Sequence, residues 1–243
     1  MGEHRILIIL PAYNEEGKIG NLVRKTKNSI ATDTFVGCDG CTDNTPKEAE
    51  EAGAIVSYKP ERTGIGAAIR RGIDYAMEND YDVCVIMGGD DQDDPQELPN
   101  LIKKLDDGHD FIIGSRYIPG GKTVNQPFFR LLTTKTYSVF FSLMTRKWLT
   151  DASNGYRAFR TDMCKDLNIW RPELDHYELE PTVLYDAVRR FKYGEAPVTK
   201  YYHVDKSFSK MRPFYDWYAI LKPVMKKFYE DVSGKPWKRA NQD

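Results

Sequence analysis

One short loop carries a dense group of side chains that can bind a cation. Residues 88–95 read GGDDQDDP and directly follow a strand-like run at residues 82–87. Carboxylate and amide oxygens are the ligands that hard divalent cations prefer, and like charges this close together repel unless a cation or hydrogen-bond donors offset them. The loop is equally typical of a solvated acidic turn in which Asp94 caps a helix that begins at Pro95.

Apolar runs with the length of buried strands recur through the first half of the chain. The run at residues 5–10 is continuously apolar after Arg5, as a strand buried on both faces requires. We predict further strands at residues 34–37, 54–58, 82–87 and 110–114. We predict helices at residues 14–29, with Asn14 as the cap, and at residues 45–52, 64–78 and 95–106. This alternation predicts an α/β fold with a mostly parallel sheet and helices on both faces.

Chemically useful residues follow the predicted strands at their carboxyl ends. Tyr13, Asp39, Asp90 and Arg116 each come within three residues of such an end. Ligands of open α/β sheets bind above the carboxyl ends of the strands. We therefore expect these four side chains to line one site.

Composition limits the classes of protein to which the chain can belong. It has 243 residues, of which 41% are hydrophobic and 29% are charged, and this describes a globular protein with a sizeable core. A formal net charge of −1 gives no global attraction to nucleic acid. We see no secretory signal and no apolar run of the roughly 18–20 residues that span a bilayer. We expect a cytoplasmic protein that meets a membrane, if at all, from the cytoplasmic surface.

Cysteine usage indicates a reducing compartment. Cys38 and Cys41 form a C-x-x-C pair, but no second pair follows at the spacing of a zinc ribbon. We interpret the two as small side chains in a turn that contacts a ligand.

Aromatic and basic residues dominate the second half of the chain. We predict an aromatic-rich helix at residues 127–148, a helix at 178–191 and a strand at 195–199. Residues 212–229 carry an apolar stripe at helical spacing; it consists of Phe214, Trp217, Leu221, Val224 and Phe228. We divide the chain into a domain at residues 1–212 and a C-terminal amphipathic helix with a basic tail at 213–243. The stripe and a second apolar surface at residues 128–129 and 140–141 fit either packing on the domain or contact with a membrane.

Five blocks of residues, in this order, resemble a known family. They are LPAYNEE at residues 10–16, DGCTDNT at 39–45, the glycine-rich segment 64–72, GSRY at 114–117 and NGYR at 154–157. Together they resemble glycosyltransferase family 2, and most closely its branch of dolichyl-phosphate mannosyltransferases and other polyprenyl-phosphate glycosyltransferases. The resemblance covers residues 5–212 and implies the GT-A fold, a Rossmann-like three-layer sandwich.

Two positions depart from the pattern of the family. Gly88 stands where the metal motif Asp-x-Asp-x-Gln has its first aspartate, which leaves Asp90 and Gln92 as ligands for Mg²⁺ or Mn²⁺. Another acid of the same loop is a candidate to replace the missing carboxylate. Cys38 likewise stands in place of the first of two aspartates in the nucleotide turn.

The resemblance implies a nucleotide-sugar donor, and the residue types suit this role. Tyr13 can pack on a base or ribose, Glu15 and Asp39 can accept hydrogen bonds, and amides near Gly64 open a helix whose positive end favours phosphate. Arg116 can offset charge on the leaving diphosphate with its bidentate fork. The expected donor-binding residues are Pro11, Ala12, Tyr13, Glu15, Asp39, Gly64, Asp90, Asp91 and Arg116.

The acceptor determines whether the reaction needs a base. A lipid phosphate is already ionised, whereas a hydroxyl needs a carboxylate within hydrogen-bond reach. We predict that Asp151 orients or deprotonates the acceptor, as a catalytic residue with Asp90 and Arg116, and that Arg157, Lys206 and Lys210 hold an acceptor phosphate.

The expected reaction is an inverting, metal-assisted transfer of a hexose, from a donor of the GDP-mannose or UDP-glucose type to a polyprenyl phosphate. Two alternatives stay open: transfer to a hydroxyl of a glycan, protein or glycolipid, and a non-catalytic protein that binds nucleotide sugars. The resemblance also leaves open a membrane-embedded partner subunit or a homo-oligomer.

Overall fold

A seven-stranded sheet forms the centre of the protein in the computed structural model, which describes residues 4–30, 32–167, 169–202 and 215–234. The strand order is β3-β2-β1-β4-β7-β5-β8. All neighbouring pairs are parallel except those of β7, which runs antiparallel to both β4 and β5. The strands are β1 (Ile6–Ala12), β2 (Asp33–Asp39), β3 (Ile55–Lys59), β4 (Val83–Ile86), β5 (Phe111–Ser115), β7 (Arg157–Arg160) and β8 (Tyr193–Pro197).

A second, two-stranded sheet lies beside the end of the main one. It pairs β6 (Lys122–Val124) with β9 (Thr199–Tyr201) in parallel. Only Val198 separates β9 from β8, so the short sheet stays next to the carboxyl end of β8.

Helices cover both faces of the main sheet, which confirms the predicted three-layer α/β sandwich. Leu7 and Ile9 of β1 point into one core and Ile8 and Leu10 into the other, and all four are fully buried. The first core receives residues from α3, α5 and α7, and the second from α1, α2 and α4. The helices are α1 (Ile19–Ser29), α2 (Thr45–Glu51), α3 (Ile65–Glu78), α4 (Leu98–Asp106), α5 (Phe128–Thr145), α6 (Met163–Asp166), α7 (Leu179–Arg190) and α8 (Tyr215–Ser233).

Two local predictions were wrong. The first helix begins at Ile19 and Asn14 does not cap it, because Asn14 has a φ of 53° and its Oδ1 accepts a hydrogen bond from the Thr42 amide at 2.9 Å. The predicted strand at 195–199 is divided between β8 and β9, and β7 was not predicted as a strand.

The described part of the C-terminal helix packs on the domain. Val224 is fully buried in the first core, and Leu221 and Phe228 pack against it. Asp231 accepts a hydrogen bond from the Tyr185 hydroxyl of α7 at 2.7 Å. The apolar stripe therefore uses these positions for its own domain, while Phe214 and the side chain of Trp217 lie outside the described residues.

The second predicted apolar surface is only partly exposed. Phe128 and Phe129 are 79% and 75% exposed, but Phe141 is fully buried and Phe140 packs against the core. Within the part of the chain that the structure describes, no helix combines the length and the apolar character needed to cross a membrane.

Close packing of α3 on β1 gives a prediction about stability. A Cβ at Gly72 would lie 2.6 Å from Cγ2 of the fully buried Ile9. We expect Gly72→Ala to lower the free energy of unfolding by about 1–3 kcal/mol through overpacking, although alanine normally stabilises a helix. Chemical denaturation measures the effect. Because Ile9→Ala removes the clashing atoms, the double variant should be more stable than the sum of the single effects predicts; additive losses would contradict this packing.

Candidate functional site

Four strand ends bring the predicted residues to one edge of the sheet. Parallel strands β1, β2 and β4 end at Ala12, Asp39 and Ile86, and β5 ends at Ser115 in the same direction. Gly89 permits close contact between two of these ends, because a Cβ there would lie 2.7 Å from the Pro11 carbonyl oxygen. The loop that follows β4 therefore lies against the end of β1.

Two acids of this loop serve its own structure. Asp91 has a φ of 59°, and its carboxylate accepts hydrogen bonds from Lys25 of α1 at 2.9 and 3.2 Å. Asp94 accepts from the Gln96 amide at 3.0 Å and so caps the turn that begins at Pro95, as predicted. The structure does not favour donor binding by Asp91, because its carboxylate is already paired with a helix on one face of the sheet.

Two other acids converge on the space beside Gly88. A Cβ at Gly88 would lie 2.9 Å from Asp90 Oδ1 and 3.4 Å from Asp93 Oδ2. The Gly88 amide donates to Asp93 Oδ2 at 3.2 Å, and the Gln92 amide donates to Asp90 Oδ1 at 3.3 Å. The missing side chain at position 88 thus leaves a cradle between two carboxylates.

This cradle suits a divalent cation that also uses ligand oxygens. Among the described residues, no group of three or more His, Cys, Asp or Glu side chains is arranged to hold a metal. Mg²⁺ is usually held by one or two carboxylates together with substrate phosphates and waters. By donor type, the carboxylate of Asp90 and the amide oxygen of Gln92 suit Mg²⁺ or Mn²⁺ when a diphosphate completes the shell.

Lys200 of β9 supplies positive charge at this loop. Its ammonium group donates to Asp93 Oδ1 and Oδ2 at 2.9 and 3.0 Å, and Asp93 is only 3% exposed. Burial lowers the pKa of Lys200, but the charges of Asp93 and then Asp90 outweigh burial and raise the pKa above its ordinary value. The ammonium group is therefore charged at neutral pH.

A buried ion pair joins the end of β5 to the loop before β7. Arg116 Nε and Nη2 donate to the two oxygens of Asp151, each at 2.6 Å, and the Arg116 amide donates to Oδ2 at 3.1 Å. Nη2 also donates to Ser153, and Nη1 donates to the Tyr202 hydroxyl at 2.5 Å. Burial lowers the pKa of Arg116, but the hydrogen bonds and charge of Asp151 more than offset burial and raise the pKa well above its usual range. The bidentate fork that we predicted for the diphosphate thus holds Asp151.

Asp151 itself is fully buried and fully engaged. Its oxygens accept from Arg116 and from the Ser153 hydroxyl, and its neighbour Thr150 donates to Glu195 at 2.8 and 2.9 Å. A carboxylate has about four acceptor positions, and these bonds use them. This engagement does not favour proton removal by Asp151, and what its bonds orient is the Arg116 side chain; the predicted contact of Asp151 with the acceptor stays a prediction.

At the other end of the site, Asp39 organises the turn that was predicted to bind the nucleotide. It accepts from the Gly64 amide at 2.6 Å and from the Thr63 hydroxyl, and it lies 3.5 Å from Arg71 Nη1. Arg62 stacks over the Tyr13 ring, with its guanidinium carbon 4.2 Å from the ring centroid.

The remaining residues of this end are placed by the loop after β1. Pro11 and Ala12 form the end of β1, and the buried Glu15 pairs with Lys18 at 2.6 Å. Cys38 and Cys41 are buried free cysteines, and burial raises the pKa of the Cys38 thiol far above its usual range. Cys38 is therefore unsuited to thiolate chemistry.

The helix opening near Gly64 is filled by the chain itself. A Cβ at Gly64, which has a φ of 123°, would meet the Asp175 carbonyl and His176. The Asp175 carbonyl also accepts from the Ala67 amide at 2.9 Å. The Gly64 amide donates to Asp39 and the Ala67 amide donates to Asp175, so the phosphate contact at Gly64 stays a prediction that these bonds do not favour.

The predicted acceptor cations differ in what the structure shows. Arg157 is 4% exposed and donates to the main-chain carbonyls of Asn154, Glu180 and Ala152 at 3.0, 2.9 and 3.2 Å. It therefore ties β7 to the preceding loop and to α7. These bonds do not favour the predicted contact with an acceptor phosphate, which stays a prediction. Lys206 and Lys210 lie outside the described residues.

Lys200 and Tyr202 belong to the site but were not predicted. Both follow the carboxyl end of β8, which is parallel to β5. Ligands of open α/β sheets bind above the carboxyl ends of the strands. The strand predicted at residues 195–199 could therefore have indicated that the residues just after it belong to the site.

The comparison with known families identifies one match. Residues 7–167 match the family described as Glycosyl transferase family 2. The chain is 30% identical over 203 residues to polyprenol monophosphomannose synthase of Mycolicibacterium smegmatis, covering 80% of this chain and 77% of that protein. It is 30% identical over 202 residues to undecaprenyl-phosphate mannosyltransferase of Micrococcus luteus, covering 80% and 83%.

A solved structure shares the fold. Glucosyl-3-phosphoglycerate synthase of Mycobacterium tuberculosis, in complex with Mn²⁺, UDP and glucosyl-3-phosphoglycerate, superposes with a TM-score of 0.67 at 16% identity. The match covers 97% of this chain and 82% of that one.

Two matched substitutions test how much the buried ion pair contributes to stability. Asp151→Asn leaves Arg116 buried beside a neutral partner, and we expect a loss of about 3–5 kcal/mol in the free energy of unfolding. Asp91→Asn makes the same change in the partly exposed pair with Lys25, where we expect a loss of at most about 1 kcal/mol. Denaturant unfolding of both variants checks this. Equal losses would show that the buried Arg116–Asp151 pair contributes no more to the free energy of unfolding than the partly exposed Lys25–Asp91 pair.

Proposed function

The chain belongs to glycosyltransferase family 2, and from this premise we propose that it transfers a hexose from a nucleotide sugar to a polyprenyl phosphate with inversion at the anomeric carbon. The names of the two mannosyltransferase relatives support a polyprenyl-phosphate acceptor. The observation that carries the proposal lies in the site itself.

That observation is the full engagement of Asp151. A hydroxyl acceptor needs a base within hydrogen-bond reach, and the oxygens of Asp151 are already bound by Arg116 and Ser153. A phosphate acceptor is ionised at neutral pH and attacks without a base. The arrangement therefore favours a phosphate oxygen as the nucleophile.

The proposed step is a single displacement. A phosphate oxygen of the acceptor forms a bond to the anomeric carbon while the bond from that carbon to the nucleoside diphosphate breaks, and the electron pair leaves with the diphosphate. Negative charge therefore grows on the leaving group, and fixed positive charge near it accelerates the reaction. Arg116 and Lys200 contribute this charge, although Arg116 already uses four donor contacts on Asp151, Ser153 and Tyr202.

Asp90 and Gln92 are the residues that would hold Mg²⁺ or Mn²⁺ beside the donor. The bound ion supplies additional positive charge for the leaving diphosphate. The complex of the fold relative with Mn²⁺ and UDP supports this choice of cofactor.

An exposed apolar stripe on α5 supports contact with a membrane surface. Phe128, Leu132, Val139 and Leu143 are between 50% and 79% exposed, and their spacing places them on one face of the helix. Lys135 lies on the same exposed side. We propose that this stripe rests in the interface of a bilayer, where a polyprenyl phosphate presents its head group.

A transfer assay tests the acceptor. With detergent-solubilised polyprenyl phosphate and labelled GDP-mannose or UDP-glucose, we expect label in the lipid from one donor and none with the matched polyprenol, which lacks the ionised phosphate. EDTA should lower the rate, and the product should have the opposite anomeric configuration to the donor. Asp90→Asn should lower the rate by about 100-fold or more, whereas Asp91→Asn should stay close to wild type.

The outcomes separate the alternatives. Label transferred to polyprenol or to a soluble glycan would support a hydroxyl acceptor. Tight nucleotide binding without turnover of either donor would support a non-catalytic protein.

Binding to vesicles tests the surface on α5. We expect the triple variant Phe128→Ser, Leu132→Ser and Leu143→Ser to reduce co-sedimentation with anionic phospholipid vesicles by at least about tenfold, since exposed apolar area drives interfacial binding. A matched triple on the outer face of α8, Met225→Ser, Tyr229→Ser and Val232→Ser, should change binding by less than about twofold. Loss of binding in the second triple alone would move the contact to α8.

A further inference from the structure

Lys200 occupies a fixed position against the acidic loop. It forms an antiparallel bridge with Asp93, and the next amide, that of Tyr201, donates to the Gln92 carbonyl at 2.8 Å. Its ammonium group binds both oxygens of Asp93, and its side chain is 16% exposed. Main-chain pairing and charge thus hold the same residue in place.

The partner of Lys200 borders the space that Gly88 leaves open. Asp93 Oδ2 lies 3.4 Å and Asp90 Oδ1 lies 2.9 Å from the position of a Cβ at residue 88. Two carboxylates that approach one space repel each other unless a cation lies near both. The ammonium group of Lys200 is positioned to be that cation in the protein alone.

We infer that Lys200 is a resident cation of the acidic loop. Its ammonium group holds Asp93 and competes with a divalent ion for the negative charge of Asp90 and Asp93. An ammonium group and a divalent ion repel each other at short range. The ion therefore binds well only when a second ligand adds oxygens and negative charge. The inference rests on the proposed function for the identity of that ligand, a nucleoside diphosphate.

This arrangement explains how the loop tolerates Gly88. Asp93 brings a carboxylate close to the position that a residue-88 side chain would occupy, and Lys200 prevents the two acids from forming a strong metal site without the donor. Removal of the ammonium group should leave Asp90 and Asp93 together available to an ion, as hard cations prefer.

Binding of Mn²⁺ without nucleotide tests the inference directly. Titration followed by electron paramagnetic resonance of free Mn²⁺ should show at least about tenfold tighter binding in Lys200→Met than in wild type, because a nearby positive charge is lost. Lys200→Arg keeps the charge and should keep the weak binding. Lys25→Met is the matched control: Lys25 also binds an acid of this loop, Asp91, and its loss should change Mn²⁺ affinity by less than about twofold.

A second comparison covers the possibility that Lys200→Met leaves Asp93 buried without a partner and does not fold. Asp93→Asn and the double variant Asp93→Asn with Lys200→Met differ only in the ammonium group. The double variant should bind Mn²⁺ at least about tenfold more tightly than Asp93→Asn.

Equal Mn²⁺ affinity within both comparisons, or an equal gain in Lys25→Met, would overturn the inference. In wild type, UDP or GDP should tighten Mn²⁺ binding by at least about tenfold. Absence of nucleoside-diphosphate binding in every variant, with or without Mn²⁺, would instead contradict the proposed function. The two failures can be told apart, because the comparison of Mn²⁺ affinities without nucleotide does not depend on the proposed function.

Discussion

Buried carboxylates at one edge of the sheet, each held by a basic side chain, are the constraint on which the site depends. The three are Asp39, Asp93 and Asp151, at most 5% exposed, and their partners are Arg71, Lys200 and Arg116. A buried charge that loses its partner costs about 3–5 kcal/mol, so each pair fixes the loops that supply its two members. These pairs connect the ends of β2, β4 and β5 to α3, β9 and the loop before β7. Each loop at this edge is therefore held by an ion pair to a second element of the fold.

Asp90 differs from these three aspartates. It is partly exposed, and within the described part of the chain it forms no ion pair of its own, although its charge acts on Lys200. Asp90 Oδ1 accepts from the Gln92 amide, and a carboxylate without a basic partner keeps further acceptor positions for a ligand. The contrast with Asp91, which is paired with Lys25 in the same loop, separates the residue available for chemistry from the residue that holds the loop.

Sequence reasoning predicted the sheet, the two helical layers and the edge at which the site lies, because strand and helix periodicity depends on local residue types. It did not predict β7, whose four residues are inserted antiparallel between β4 and β5 by pairings with distant strands. The same limit applied to side-chain partners. Arg116 and Arg157 carry the same group, yet one lies at the edge with Asp151 and the other binds main-chain carbonyls inside the fold. Tertiary contacts decide which hydrogen-bond donors remain available for a ligand. The spacing of residues in the sequence does not reveal these contacts.

The short sheet of β6 and β9 connects the two ends of the proposed reaction. Lys200 and Tyr202 are two residues apart, so both side chains point to the same side, toward the acidic loop and toward Arg116. The Tyr202 ring also lies 5.2 Å from the guanidinium of Arg130, which belongs to α5, the helix with the exposed apolar stripe. The Tyr202 amide donates to Val124 of β6, four residues before α5 begins. In the proposed reaction, a lipid surface that positions α5 would therefore be connected through Tyr202 to Arg116. The short sheet thus links the proposed membrane contact to two of the cations of the site.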